Sequence, residues 1–396
     1  MSNMDTNGNQ TYSPRTALKV LIGGMLGMVV AMGIGRFVYT PILPLMQRDL
    51  GISNSLAGWL AALNYLGYLA GAVSCSLAPR LLRNRIVTGT ALLTSIATTF
   101  GMGLTLSPFW WGAMRLSSGV ASAILFIVIS AEIAETLTRQ GHSQWFGALY
   151  SGIGLGIALS GLVVPWLDSI GGWAKTWVGT GFLAILMAST GLALGRGRVT
   201  AAPVEFGKMT NSSPPQRLWP LAAAYFLEGL GYIVTATFIV AIIATTPGLK
   251  VFAPYSWVAV GLAAIPSTLV WPLVARRIGN RKALLAAFGL QAAGILVSIK
   301  ADTIPEVLFA AISFGATFLG IVAITMAEGN RRWHNDSRRA AAILTTCFGL
   351  GQVLGPGVAG ALADLQDGFA LPLLLAAVSV IAGGLIIIFD RSYAGR

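Results

Sequence analysis

The chain has 396 residues, 55% of them hydrophobic and only 10% charged, with a net charge of +12 and a mean hydropathy of +0.74. A soluble domain carries about 25% charge, and this chain lacks the polar residues to cover a water-facing surface. Composition excludes a large soluble domain and leaves an all-α integral membrane protein. It also excludes a nucleic-acid module, because the basic residues are spread through short loops and form no basic face or arm.

The N-terminus, "MSNMDTNGNQTYSPR", is polar and has no cleavable signal character. Apolar runs of about 20 residues then recur without β-barrel alternation. They predict twelve transmembrane helices near 18–44, 53–78, 86–106, 109–135, 145–167, 173–195, 218–245, 254–275, 283–300, 305–328, 340–363 and 369–389. The longest polar stretch, 196–217, is rich in Pro, Gly, Ser and Asn and reads as a linker between the sixth and seventh spans. The expected organisation is a tail at 1–17, a six-helix bundle at 18–195, the linker at 196–217, a second bundle at 218–390 and a short tail at 391–396. Most of the 26 lysines and arginines fall on the side that holds the N-terminus, whereas Arg48, Lys175, Lys250 and Lys300 fall on the other. Basic loops stay cytoplasmic, so both termini and the linker are expected inside, in the cytoplasmic (inner) membrane.

Two arginines, Arg36 and Arg115, lie within spans. Arg36 stands alone in "GMGIGRFVYTPILPLM". A central arginine costs at least about 2.5–3.5 kcal/mol to insert, and Lys19 is about 25 Å away along a helix. Outward snorkelling, a structural ion pair, and a substrate or coupling role each account for it. Its best partner is Glu228, roughly 16 Å inside the seventh span. Tyr225, Glu228, Tyr232 and Thr235 follow 3–4 spacing and share one helical face. Arg115 shares a face with Ser118, Gly119 and Ser122. It is read either as an anchor for an anionic group or a proton-tuning residue, or as a bridge to another helix's carbonyls. Asn64 and Tyr68 are i,i+4 neighbours that offer hydrogen bonds. Tyr39, Tyr65 and Tyr150 are further candidates, and Gln352 is either packing or cavity lining. Glu132 and Glu328, at helix ends beside basic loops, read as gate-like salt bridges.

Sliding the chain by 196 residues superposes its halves. "GIGRFV" at 33–38 meets "GLGYIV" at 229–234, Arg80 meets Arg276, Arg85 meets Arg281, and Glu132 meets Glu328. Two parallel six-helix halves imply a substrate path between them.

The fourth span carries "RLSSGVASA", with Arg115 and Gly119 in an R-x-x-x-G pattern. The fifth carries "GIGLGIALSG" and the eleventh "GLGQVLGPGVAG". Their glycines are Gly152, Gly156 and Gly161, then Gly351, Gly355 and Gly360, with Pro356 following Gly355. Small residues one turn apart let membrane helices approach closely. With these motifs the chain resembles the major facilitator superfamily, and "GIGRFVYTPILP", "WLAALNYLGYLAGA" and "YFLEGLGYIVTATF" resemble its YbfB/YjiJ-type branch. The basic loops "LAPRLLRNR" and "LVARRIGNRK", with Arg80, Arg276 and Arg281, resemble the family's loop motif. Pro79 and Arg276 stand where that motif carries an acid. The resemblance implies two pseudo-symmetric six-helix bundles, alternating access, and a role for Arg115 near a protonation event.

The expected function is secondary active transport of a small organic solute, coupled to protons through Glu228 with Arg36 and Arg115 nearby. Two buried arginines against one deep carboxylate lean toward an anionic or zwitterionic solute. Broad drug-like or metabolite efflux is the alternative, and a non-transporting receptor a further one. Neither a catalytic set nor a metal set is visible. No cofactor beyond the proton gradient and no nucleic acid is expected, and the chain is expected to act as a monomer in the bilayer.

The charge bias makes a direct prediction. In a background without Cys75 and Cys347, a membrane-impermeant thiol reagent applied from outside should modify Lys250→Cys and spare Lys208→Cys. The reverse pattern inverts the topology.

Overall fold

The computed structural model describes residues 3–4, 10–11, 14–78, 80, 84–195 and 217–393. The expected linker apart from Arg217, parts of both tails, and Pro79 with 81–83 of the first basic loop lie outside the described residues. The described chain is almost entirely helical. In order, the helices are α1 (Pro14–Leu50), α2 (Asn54–Leu77), α3 (Arg85–Met102), α4 (Pro108–Arg139), α5 (151–170) and α6 (173–194). The second set is α7 (Trp219–Thr245), α8 (Ala253–Ile278), α9 (Asn280–Ser298), α10 (Ile304–Arg332), α11 (Ser337–Leu365) and α12 (Ala370–Phe389).

Local chemistry explains the boundaries. Gly51, at φ 63°, ends α1 in a left-handed cap. Ser53 then accepts a hydrogen bond from the Leu56 amide and starts α2. Thr303 and Glu306 form a capping box at α10. α5 and α6 are one helical stretch broken at Gly171–Gly172, where Gly172 takes φ 71°. The chain reverses there, since Gly152 abuts Met25 while Gly191 abuts Gly23, both on α1. Counting that stretch once, ten helices among the described residues are long and apolar enough to cross a membrane. α3 falls outside that set. Its run includes Thr94, Ser95, Thr98 and Thr99, and the last two hydroxyls return to carbonyls of their own helix.

The two six-helix halves meet along two seams. At the α2–α11 seam, a Cβ on Gly58 would stand 2.1 Å from the Pro356 carbonyl oxygen, and one on Gly360 2.1 Å from that of Asn54. At the α5–α8 seam, Ser151 donates to the Ile265 carbonyl (2.7 Å) and the Trp257 indole donates to Ser160 (3.1 Å). Without side chains in the way, backbones pack directly, which is how helices associate in lipid. Between the seams, Thr40 donates to the Ala236 carbonyl at 2.7 Å, and these residues are 196 apart. Each is the repeat equivalent of the other, so the pseudo-twofold axis passes through this contact.

Call the end of the bundle near Pro14 and Tyr393 the terminus side, and the opposite end the far side. α11 grips α2 at both ends. On the far side the Asp364 carboxylate accepts from the Asn54 and Ser55 amides (3.0 and 2.7 Å). On the terminus side Arg338 donates to the Ser76 carbonyl (2.8 Å). An acid at a helix N-terminus and a base at its C-terminus both oppose the helix dipole. The repeat equivalent of Asp364 is Asp168, yet Asp168 stays within its own half, held by both terminal nitrogens of Arg48 (3.0 and 2.9 Å). The position equivalent to Arg48 is Ala244, so Asp364 has no such partner and bridges the halves instead. The far-side latch is therefore built on one seam only.

Glu328 forms salt bridges, as expected at a helix end beside a basic loop. It accepts from Arg332 and Asn280 (both 2.9 Å) and from Arg331. Arg332 in turn pairs with Asp390 (2.8 Å) and donates to the Arg217 carbonyl (2.9 Å). Apart from Arg217, at the end of the linker, these groups belong to the second half, whose terminus-side ends they tie together.

Asp364→Ala should loosen the far side by roughly 1 kcal/mol, about a fivefold rise in the open fraction. Spin labels at Leu104 and Gln366, one on each half, would read this as a new long-distance population. An unchanged distance distribution would show that the carboxylate does not hold the seam.

Candidate functional site

The site forms where α1 loses its regular winding. Val29–Phe37 is a π-helical segment, a wider turn often found at functional positions. Its carbonyls are taken up by neighbours. Ser118 of α4 donates to the Gly35 carbonyl at 2.7 Å, and Asn64 of α2 approaches it at 3.5 Å. Arg115 donates to the Leu60 carbonyl (3.3 Å) and approaches that of Arg36 at 3.5 Å. Its guanidinium lies 4.6 Å from the Tyr39 ring centroid, and the Tyr39 hydroxyl donates to the Ala57 carbonyl (3.0 Å). Asn64 also donates to the Arg115 carbonyl at 3.0 Å. Of the two roles open to Arg115, the carbonyl bridge is the one this geometry displays. Ser118, three residues on, serves the same segment. Gly119 lets α2 and α4 touch, since a Cβ there would stand 2.0 Å from the Asn64 carbonyl oxygen.

Arg36 projects from this segment and is 4% exposed. Its guanidinium carbon lies 4.5 Å from the Tyr65 ring centroid, 4.6 Å from Tyr68 and 5.4 Å from Phe37. Such contacts return about 0.5–2 kcal/mol each, against the cost of burying the charge. Its Nε and Nη2 have no hydrogen-bond partner. Among the described residues no carboxylate pairs with it, so the expected ion pair with Glu228 is absent from this conformation.

Glu228, 1% exposed, turns instead into its own half. Its Oε1 accepts from the Gln291 amide of α9 at 2.7 Å, and Gln291 accepts from Thr317 of α10 at 2.9 Å. Its Oε2 is unpartnered. Sequence reasoning did not single out Gln291 or Thr317. An isolated amide in the apolar ninth span was the available signal.

Tyr225 and Tyr232 share a face of α7, as their spacing predicts. Tyr225 stacks on Phe348 of α11 with centroids 4.2 Å apart. Tyr232 lies nearly parallel to Phe348 (5.4 Å) and to Phe318 of α10 (6.1 Å). Gln352 donates to the Tyr232 hydroxyl. Pro356 has no amide hydrogen to give the Gln352 carbonyl, so α11 is weakened where it meets this ring stack. Phe37 of the first half touches Phe318 and Trp257 of the second (6.3 and 6.4 Å), closing the centre on the far side. These phenylalanines gave no signal in sequence, because phenylalanine fills membrane helices everywhere.

The glycine motifs divide their work alike in both halves. Gly152 and Gly156 press against Met25 and Gly33 of α1, and Gly351 and Gly355 against Phe226 and Leu230 of α7. The third glycine of each motif faces the other half, Gly161 toward Pro254 and Gly360 toward Asn54. Arg80 and Arg276 are exposed at helix ends, and Arg281 donates to the Ile388 carbonyl.

Residues 28–388 match the family described as "Uncharacterised MFS-type transporter YbfB". The chain belongs to this family of major facilitator transporters. It is 32% identical over 198 residues to the uncharacterised transporter YgaY of Escherichia coli, covering 48% of this chain and 46% of that protein. The chain thus spans about half the length of that relative. It is 23% identical over 356 residues to "Probable transporter SCO4007" of Streptomyces coelicolor, covering 83% of this chain and 76% of that protein. A 151-residue stretch is 26% identical to a gallate transporter of Pseudomonas putida, covering 37% of this chain and 32% of that one. The solved nucleoside transporter NupG superposes with a TM-score of 0.71 over 96% of this chain and all of that one, at 13% identity. It therefore shares the fold.

Proposed function

We propose that this membrane transporter moves a small organic anion across the cytoplasmic membrane by alternating access, exchanging a proton at Glu228. The terminus side is the cytoplasmic one, as the basic loops indicate. The observation that carries the proposal is the state of Glu228. Its one bonded oxygen is held by a neutral amide, its other oxygen is unpartnered, and no cation pairs with it among the described residues. A carboxylate in this setting can gain or lose a proton without breaking an ion pair, as a coupling residue must. The packing supports alternation. The far half of the centre is closed by Thr40–Ala236 and by Phe37 against Phe318. Toward the terminus side, Tyr68, Phe126, Tyr150 and Phe348 remain partly exposed. A relative that carries gallate, itself an organic anion, agrees with the solute class.

Glu228→Gln keeps the hydrogen-bonding shape and removes the titratable proton. Proteoliposomes given an inward proton gradient and a mixed pool of radiolabelled aliphatic, aromatic and amino acids would test it. The wild type should concentrate at least one solute at least about tenfold, a difference near 1.4 kcal/mol, and a protonophore should abolish the gain. Glu228→Gln should keep counterflow of that solute and lose the accumulation. Undiminished accumulation by Glu228→Gln would remove Glu228 from the coupling.

A further inference from the structure

Resting on the transport reading above, we propose that the solute is a planar aromatic monocarboxylate, its carboxylate read by the Nε–Nη2 edge of Arg36 and its ring by the tyrosines and phenylalanines at the centre.

Nε and Nη2 of Arg36 are both fully buried and without a hydrogen-bond partner, and they lie on the same edge of the group. Their hydrogens point in parallel, the geometry that one carboxylate accepts with both oxygens. Tyr65 and Tyr68 lie against the guanidinium at 4.5 and 4.6 Å, which holds the plane and limits where an anion can approach. Arg115 is occupied by the Leu60 and Arg36 carbonyls and by Tyr39. One guanidinium edge is left open to an anion, so a single carboxylate suits the site better than a dianion. An amine would meet two buried positive charges.

The walls set the rest of the solute. On the first half, Tyr68, Phe126, Tyr150 and Phe146 form a continuous run of ring contacts from Arg36 toward the terminus side, at 6.4, 5.6 and 5.5 Å between successive centroids. On the second half, Tyr225, Phe348 and Tyr232 form a parallel stack. Phe318 links this stack to Phe37, the neighbour of Arg36, with centroids 6.1 Å from Tyr232 and 6.3 Å from Phe37. A flat ring can exchange for these ring–ring contacts face to face, which a puckered or branched body cannot do as well. Charge at one end and a ring at the other match the sequence of surfaces along this route.

The test is binding to the full-length chain in nanodiscs, by calorimetry, with defined probes. Benzoate, 4-hydroxybenzoate and trans-cinnamate are the acids. Cyclohexanecarboxylate, benzamide and benzylamine are the controls. At least one aromatic acid should bind at least tenfold more tightly than any control. Arg36→Lys keeps the charge but loses the fork, and should weaken that acid at least tenfold while its thermal unfolding remains cooperative. Tyr68→Leu should reduce the preference for the aromatic acid over cyclohexanecarboxylate at least threefold and leave carboxylate binding measurable. It serves as the second reading if Arg36→Lys does not fold. Equal binding of benzamide or benzylamine, undiminished binding by folded Arg36→Lys, or no binding by any of the acids would overturn the proposal. Proton-driven accumulation of an aliphatic solute from the mixed pool would leave the transport reading standing while this one fails.

Discussion

Arg36 carries a guanidinium buried in the middle of a membrane helix, and among the described residues no carboxylate pairs with it. Removing a guanidinium from water is expensive, and the neighbouring elements are arranged around that expense. Two tyrosine rings of α2 lie against the group and return part of the energy through cation–π contact. The π-helical winding that presents it exposes carbonyls, and α4 answers those with Arg115 and Ser118. Arg115 is thus a second buried cation that positions the first. What is left unanswered is one edge of the Arg36 guanidinium. That unanswered donor pair, one turn from the Thr40–Ala236 contact, is the reason the proposed solute is placed there.

The two halves are alike in backbone and unlike in charge. Their glycine motifs pack the same way, and Thr40 meets its own repeat equivalent. The polar groups break the symmetry. Arg36 sits in α1, while Tyr232 occupies the equivalent place in α7 and Glu228 lies one turn before it. Asp168 is held by Arg48 within its half, while Asp364 crosses to the other. A symmetric scaffold lets the halves rock about one axis. On the proposed reading, the asymmetric charges give the two motions different ligands, an anion for the first half and a proton for the second. An anion and a proton moving together leave the low-dielectric centre with no added charge, which is the cheaper way to cross it.

Much of this was legible in the sequence. Long apolar runs, basic loops and the 196-residue offset lead to six helices plus six, because lipid permits few other solutions. Arg36, Arg115 and Glu228 stand out because a charge in an apolar run has few explanations. The partner of Glu228 was not legible. Helical spacing places it on a face with Tyr225 and Tyr232, but a face is broad. Only the packing shows that the carboxylate turns toward Gln291 and not across the centre. The π-helical segment was hidden as well, since Gly33 and Gly35 fit an ordinary close-packed helix equally well. Which elements the Glu328 salt bridges tie together was hidden for a related reason. A charged helix end beside a basic loop looks the same whether it ties two halves or, as here with Arg332 and Asp390, ties one.

The central claim is that anion binding at Arg36 and proton binding at Glu228 are linked, and linkage can be measured without transport. Purified protein in weakly buffered solution, at a pH alkaline enough that Glu228 is ionised before ligand is added and with a pH indicator present, should take up protons as the aromatic acid binds, approaching one per molecule. The same titration with Glu228→Gln should bind the acid and take up none. Binding without proton uptake in the wild type, or equal uptake in both proteins, would contradict the account.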